Sequence, residues 1–235
     1  MDIWGRLYRD HWSGEAHPHV FHRDDGKRDT VASAAGYFVA PRGVADRAAL
    51  DALGGRVLDL GCGPGSYARF LEERGVSVVA VDASPGAIAV CREHGCRDAR
   101  VVEIDLVGPE LGSFDAIICM GNTFGVALGP ATLPERLSRM RSVLVPNGKL
   151  VLSLIDPFAT TDPAHLAYHD RNRAAGRSPG LTRLRLEYRG MTSEWWDLWM
   201  PTEPELSAGA ASTGWQIVSA VPEGNSRLYV LVPEP

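Results

Sequence analysis

The chain has 235 residues, 45% of them hydrophobic and 23% charged, with a formal net charge of −5. That length and apolar content suit one globular domain with a sizeable core, and no stretch approaches the ~20 apolar residues of a membrane span. The acidic balance, with no lysine-rich run, argues against a nucleic-acid backbone as the main partner.

Trp4, Tyr8 and Trp12 recur every four residues and predict a short N-terminal helix with one aromatic face. Residues 1–30 show no strand alternation, and Asp29 to Ala40 and Asp46 to Leu53 read as further helices, split by Pro41 and Gly43. From Arg56 to Asp156, strand and helix patterns alternate, as in a parallel sheet covered on both faces. Thr161 to Ala175 predicts a helix with Asp162 as its cap and Pro163 at its first position. Leu181 to Tyr188 alternates with period two and, with Thr192 to Met200, predicts an antiparallel hairpin turning at Arg189-Gly190. Pro204 to Ala211 reads as a short helix, and Trp215 to Val221 and Arg227 to Val232 as the last two strands.

The most informative stretch is Val57-Leu58-Asp59-Leu60-Gly61-Cys62-Gly63-Pro64-Gly65-Ser66-Tyr67. An apolar strand ends in an acid, and three glycines at alternate positions open a helix. Glycines let a ligand approach the backbone closely, so this unit is a cradle for a nucleoside cofactor. A dinucleotide fold wants G-x-G-x-x-G, but Ser66 holds the third position and Gly65 comes one residue early. Asp59 beside the cradle repels a pyrophosphate and attracts an ammonium or sulfonium group. Val76 to Val81 forms a second apolar strand ending in Asp82, about 20 residues past the turn, the offset of a carboxylate that grips ribose hydroxyls. A ribose, a positively charged tail and no pyrophosphate describe S-adenosylmethionine.

These residues resemble the class I S-adenosylmethionine-dependent methyltransferases. Asp59-Leu60-Gly61-Cys62-Gly63-Pro64-Gly65 matches the family's first motif, [DE]-x-G-x-G-x-G, at every fixed position. Val79-Ala80-Val81-Asp82-Ala83-Ser84 is similar to the segment ending in the ribose-binding acid. Val102-Glu103-Ile104-Asp105-Leu106 is similar to the third-strand motif, whose acid contacts the adenine amino group. Phe114 to Cys119 resembles the fourth strand, and Arg139 to Leu154 the helix, turn and fifth strand. The resemblance covers about residues 50–156. It implies an α/β fold: a doubly wound, mostly parallel seven-stranded Rossmann-like sheet with helices on both faces and the last strand antiparallel, plus the inserted β-hairpin. The expected organisation is a single domain, with an N-terminal helical cap (1–53), a cofactor-binding core (54–156), a helix-and-hairpin insertion on the substrate side (157–202) and C-terminal strands (203–235). The implied cofactor set is Asp59, Gly61, Cys62, Gly63, Gly65, Asp82, Ala83, Asp105, Leu106, Met120 and Gly121.

Ligands of open parallel sheets lie beyond the C-terminal strand ends. The fourth strand runs into Gly121-Asn122-Thr123-Phe124, which resembles the G-N-[ST]-F stretch of glycine N-methyltransferase and its small-molecule relatives. It departs from the [DN]-P-P-[YF] motif of enzymes that methylate nucleic-acid bases. After the fifth strand, His165, Tyr168 and His169 share one helical face. They offer a general base, which helps O-methylation because the hydroxyl loses its proton as it attacks; a solvated or structural face is the alternative. The candidate catalytic residues are Tyr8, Asn122, His165 and His169. Trp195, Trp196 and Trp199 line an apolar substrate pocket or form a dimer contact.

The four cysteines, Cys62, Cys91, Cys96 and Cys119, have no zinc-ribbon spacing and read as reduced packing residues. His11, His17, His19 and His22 match no standard ligand pattern, so no metal is expected. The polar and aromatic opening residues carry no secretory signal, which points to the cytoplasm. The expected function is methyl transfer from S-adenosylmethionine to N, O or C of a small molecule, in specialised metabolism, by a monomer or homodimer. Rival readings are a methyltransferase of RNA or protein, a nicotinamide-dependent oxidoreductase, and a non-catalytic S-adenosylmethionine-binding module.

Overall fold

Val57, Leu58 and Leu60 are all buried, because their strand lies mid-sheet with side chains covered on both faces. A computed structural model of the protein describes residues 2–234; Met1 and Pro235, the outer ends of the expected cap and C-terminal segments, lie outside the described residues. In chain order come α1 (Ile3–Trp12), β1 (His19–Arg23), β2 (Arg28–Val31), α2 (Val44–Asp51), β3 (Arg56–Leu60), α3 (Ser66–Glu72), β4 (Ser77–Asp82), α4 (Pro85–Glu93), β5 (Ala99–Val101) and β6 (Phe114–Cys119). They are followed by α5 (Leu133–Ser142), β7 (Leu144–Ile155), α6 (Pro163–Ala174), β8 (Leu181–Tyr188), β9 (Met191–Thr192), β10 (Trp196–Trp199), α7 (Glu203–Ser212), β11 (Trp215–Glu223) and β12 (Ser226–Pro233).

The main sheet has seven strands in the order β11-β12-β7-β6-β3-β4-β5. β3, β4, β5, β6 and β7 pair in parallel, and β12 runs antiparallel to both of its neighbours. Leu58, Leu60, Leu150 and Leu152 face a core completed by Leu137, Met140, Leu206 and Trp215 from the α5–α7 side. Val57, Ala80, Ile118 and Val151 face the opposite core, closed by Leu50, Phe70, Leu71 and Ile88. The doubly wound sheet with its antiparallel last strand is the expected one.

A second, antiparallel sheet has the order β10-β8-β1-β2, with β9 paired to β8. The hairpin after α6 is present as expected, but it is half of this sheet. The other half comes from residues 19–31, within the segment expected to be a helical cap. Asp29 to Ala40 is likewise the end of β2 followed by a 3-10 turn over Ala35–Phe38, not a helix. In β1 only the end residues His19 and Arg23 are buried, while Val20, Phe21 and His22 between them are half-buried. The most buried positions carry polar side chains, so no apolar period shows in the sequence. Five-residue β1 gains its order by pairing with β8 more than 150 residues away, through Val20 opposite Glu187 and Phe21 opposite Leu186.

Candidate active site

The chain leaves β3 through a turn held against the end of β4. Gly61 and Cys62 both donate backbone hydrogen bonds to the Val81 carbonyl, at 2.8 and 3.0 Å. Gly61, Gly63 and Gly65 have φ of +71°, +53° and +84°, the left-handed region that favours glycine. Asp82 braces this turn: one carboxylate oxygen accepts from the Gly63 N–H at 2.9 Å, the other from the Ser84 N–H at 2.8 Å. Burial raises the Asp82 carboxyl above its ordinary range, and these two N–H donors oppose that rise.

Asp59 lies beneath the turn, only 2% exposed. Its Oδ2 has no hydrogen-bond partner among the described residues. Burial pushes this carboxyl up to about 7, against the Ala68 N–H that favours the charged form and with nearby Asp82 adding to the rise. A buried carboxylate oxygen without a partner is costly unless a donor or cation meets it. Behind the turn, a Cβ on Gly65 would lie 2.5 Å from the sulfurs of both Cys91 and Cys96. Contact with the Cys91 thiol lowers the Cys62 thiol, but burial and Asp59 outweigh it and push the group up to about 11. All four cysteines are free and buried.

The N-terminal segment roofs this turn. Asp2 caps α1 by accepting from the Gly5 N–H at 2.8 Å, and it also accepts from the Ser84 hydroxyl and the Gly86 N–H. α1 crosses α4 where Gly5 meets Gly86, so closely that a Cβ on either would fall 2.6 Å from the other's Cα. This contact carries Tyr8 over the cradle. Its hydroxyl lies 3.5 Å from the position of a Cβ on Gly63, and its ring packs against Tyr37 at 5.3 Å. Burial, with Tyr37 and Asp82 nearby, raises the Tyr8 hydroxyl well above its ordinary range, so it stays protonated. Arg42, from the loop before α2, reaches over the end of β6: its Nη1 is 3.1 Å from where a Cβ on Gly121 would sit.

Asn122 closes the strand ends. It holds φ +64°, its Oδ1 accepts from the Ile155 N–H at 3.0 Å, and its own N–H donates to the Ser153 carbonyl at 2.8 Å. It thereby ties β6 to β7. Beyond β5, Asp105 is paired with buried Arg136, whose Nη2 donates to both carboxylate oxygens at 2.9 Å. The same guanidinium donates to the Phe124 and Val126 carbonyls. Leu106 is 64% exposed beside it, an apolar surface at the cradle's outer end.

Residues 57–148 match the profile of a family described as a methyltransferase domain. That match places a methyltransferase domain within this stretch, less than half of the chain. A ubiquinone biosynthesis O-methyltransferase from Xanthomonas oryzae pv. oryzae is 37% identical over 115 residues, 46% of each protein. One from Xylella fastidiosa is 37% identical over 109 residues, 44% of this chain and 43% of the other. The chain thus spans about half the length of the curated relatives it matches. Among solved structures, a methyltransferase from Bacteroides fragilis in complex with S-adenosylhomocysteine superposes with a TM-score of 0.83 at 23% identity, covering 100% of this chain and 95% of that one. The CcbJ methyltransferase from Streptomyces caelestis gives 0.61 at 16% identity, covering 77% and 84%.

The methyltransferase core brings many of the sequence-predicted site residues to one end of the sheet. Asp59, Gly61, Cys62, Gly63, Gly65, Asp82 and Ala83 surround the turn, with Met120, Gly121 and Asn122 at the end of β6. Asp105 and Leu106 sit at the end of β5. Tyr8 joins them from α1. His165 and His169 are placed differently, on α6, whose hydrogen bonds run to the second sheet and the loops beside it: Tyr168 donates to Asp24, and Asn172 to the Pro179 and Leu181 carbonyls. His165 is half-buried, 3.7 Å from Asp162. His169 is buried with its ring edge-on to Phe158 at 5.8 Å. Burial, with the Arg173 charge nearby, lowers His169 below the ordinary histidine range. Trp199 is fully buried, its indole N–H donating to Ser178 at 2.7 Å, whereas Trp196 faces Trp4 at 6.4 Å. Sequence reasoning missed Arg42 and the partnering role of Asp2, since a single charged residue in a loop carries no periodic or motif signal. Among the described residues, no group of three His, Cys, Asp or Glu side chains could hold a metal ion.

Proposed function

We propose that the protein transfers the methyl group of S-adenosylmethionine to N, O or C of a small molecule of specialised metabolism. The observation that carries this reading is the pair of opposite charges flanking the glycine turn. Asp59 presents a buried oxygen without a partner among the described residues, and Arg42 extends a guanidinium over Gly121. The methionine end of the cofactor carries both an ammonium and a carboxylate, so Asp59 suits the first and Arg42 the second. Asp82 suits the ribose hydroxyls, and Leu106 the adenine face. The curated relatives are O-methyltransferases by name, which supports a small-molecule acceptor.

When bound, the cofactor supplies a methyl group on a sulfonium that is already an activated leaving group. This chain's residues then need only to bind, orient and exclude water. The turn fixes the cofactor through its backbone, with Asp82 holding Gly63 in place. Asn122 keeps the ends of β6 and β7 in register below the transfer site. The lid sheet and α1 cover it. His169 and His165, on the helix that supports the lid, orient the acceptor from that side.

Titration calorimetry with S-adenosylhomocysteine tests the reading: micromolar affinity is expected, about −8 kcal/mol. Binding of a nicotinamide dinucleotide with no binding of S-adenosylhomocysteine would overturn it. Transfer of a radiolabelled methyl group into a metabolite extract separates the enzyme from a non-catalytic binding module.

A further inference from the structure

Two histidines of β1 have opposite fates. His22 is on one face of the strand, where its Nε2 meets Glu187 at 2.7 Å. His19, on the other face, is 0% exposed. Neither ring nitrogen of His19 has a hydrogen-bond partner among the described residues. A neutral imidazole carries one N–H donor and one lone-pair acceptor, and leaving such groups buried and unmatched costs about 1–3 kcal/mol each. A fold that needed only bulk at this position would be better served by Phe or Leu. The nitrogens therefore require an explanation beyond packing.

The surroundings supply one. His19 lies against Phe21 at 5.5 Å and Tyr37 at 6.1 Å, centroid to centroid. Trp4 extends the cluster, 6.0 Å from Phe21, 5.9 Å from Tyr37 and 6.4 Å from Trp196. Trp4, Phe21, Tyr37 and Trp196 are each only partly buried, so ring surface remains open to a ligand. Tyr37 also packs on Tyr8, whose hydroxyl lies over Gly63 of the cofactor turn. One ring thus separates the His19 cluster from the residue that roofs the cradle. Aromatic rings accept a flat ring by offset or edge contact, and a phenolic hydroxyl offers a proton to the unmatched imidazole lone pair.

We propose that His19 receives the proton of the methyl acceptor, and that the acceptor is an aromatic hydroxyl compound held by Trp4, Phe21, Tyr37 and Trp196. The inference rests on the methyltransferase reading above and deepens it. As the acceptor oxygen bonds to the methyl carbon, the carbon–sulfur bond breaks and its electron pair stays on sulfur. The hydroxyl O–H bond breaks as well, and its proton passes to the free imidazole nitrogen. Burial lowers His19 below the ordinary histidine range, which keeps the lone pair available beforehand. A neutral amine acceptor needs less help from such a base, because it attacks through a free lone pair and sheds its proton afterwards.

The test uses the full chain saturated with S-adenosylhomocysteine, with phenol and its near-isostere toluene as probes. Ring-nitrogen NMR of wild type is expected to show the His19 signals moving with phenol and not with toluene, and phenol to bind at least tenfold tighter. His19→Phe is expected to keep S-adenosylhomocysteine affinity within about twofold and to lose the preference for phenol. His19→Leu is the second variant, should the larger ring not be tolerated, with the same loss expected. Unmoved His19 signals, equal affinity for the two probes, binding of neither, or a preference that survives in the variants would each overturn the proposal. Failure of wild type to bind S-adenosylhomocysteine would instead overturn the methyltransferase reading.

Discussion

The hydroxyl of Tyr8 stands 3.5 Å from the point where a side chain on Gly63 would begin, so helix α1 and the cofactor turn face each other across ordinary contact distance. Gly65, two residues on, has no such room, because a Cβ there would lie 2.5 Å from two cysteine sulfurs. The two glycines thus serve different ends, one leaving space for a ligand and the other allowing the turn to pack. Gly65→Ala is expected to lose about 2–4 kcal/mol of stability, from its left-handed backbone and the overlap with Cys91 and Cys96. Gly63→Ala is expected to lose about 1–2 kcal/mol, the backbone cost alone, and Gly63→Val to stay folded while losing S-adenosylhomocysteine binding. Thermal unfolding and calorimetry on the three variants check this. Equal stability losses for the two alanine variants would refute the division of roles.

Asp82 holds two backbone N–H groups and is the residue proposed to meet the ribose. Asp82→Ala removes a carboxylate that both braces Gly63 and suits the ribose hydroxyls. S-adenosylhomocysteine affinity is expected to fall by about 1.5–3 kcal/mol, while far-UV circular dichroism stays that of wild type. Wild-type affinity in a folded variant would remove Asp82 from the cofactor set.

Asp59 makes the cofactor-free protein and the complex respond to pH in opposite directions. Its carboxyl titrates at about 7 when folded, against an ordinary 3.8. Between those values the folded state keeps a proton that the unfolded state has lost. The site's contribution to stability is therefore fullest below pH 4 and is lost as pH rises through about 7. Asp59→Asn is expected to be more stable than wild type at pH 8 by about 2–4 kcal/mol, with the gap closing at pH 5. Wild-type affinity for S-adenosylhomocysteine should rise from pH 6 to 8 as Asp59 ionises, and the variant should be weaker and flat. Melting curves and titrations at the three pH values decide, and a variant no more stable at pH 8 would exclude a strained Asp59.

Arg136 and Asp105 share a bidentate pair but not its consequences. The guanidinium is buried and also satisfies two carbonyls, whereas the Asp105 side chain is 55% exposed. Arg136→Met strands those carbonyls and is expected to cost about 2–4 kcal/mol. Asp105→Asn is expected to cost about 1 kcal/mol or less, because water screens the pair on that side. If Asp105 meets the adenine amino group, Asp105→Asn also weakens S-adenosylhomocysteine binding by about tenfold. Urea unfolding and calorimetry separate the two effects, and unchanged affinity would leave Asp105 with a packing role alone.

The main sheet and its cofactor turn were legible in the sequence because their signals are local. A fully buried parallel strand reads as a run such as Val57 to Leu60, and a turn with positive φ reads as glycine. The offset from the turn to Asp82 is set by one strand–helix–strand unit. The second sheet was only half legible. Leu181 to Tyr188 alternates openly, but its partner β1 buries only the polar His19 and Arg23 at its ends, and pairing across more than 150 residues leaves no local trace. The roles of single polar side chains were decided by tertiary structure alone. Nothing in the sequence distinguishes His19, buried without a partner among the described residues, from His22, paired with Glu187, or aims Arg42 over Gly121. Those differences are set by which neighbours the folded chain brings within hydrogen-bonding reach, and that depends on contacts remote in sequence.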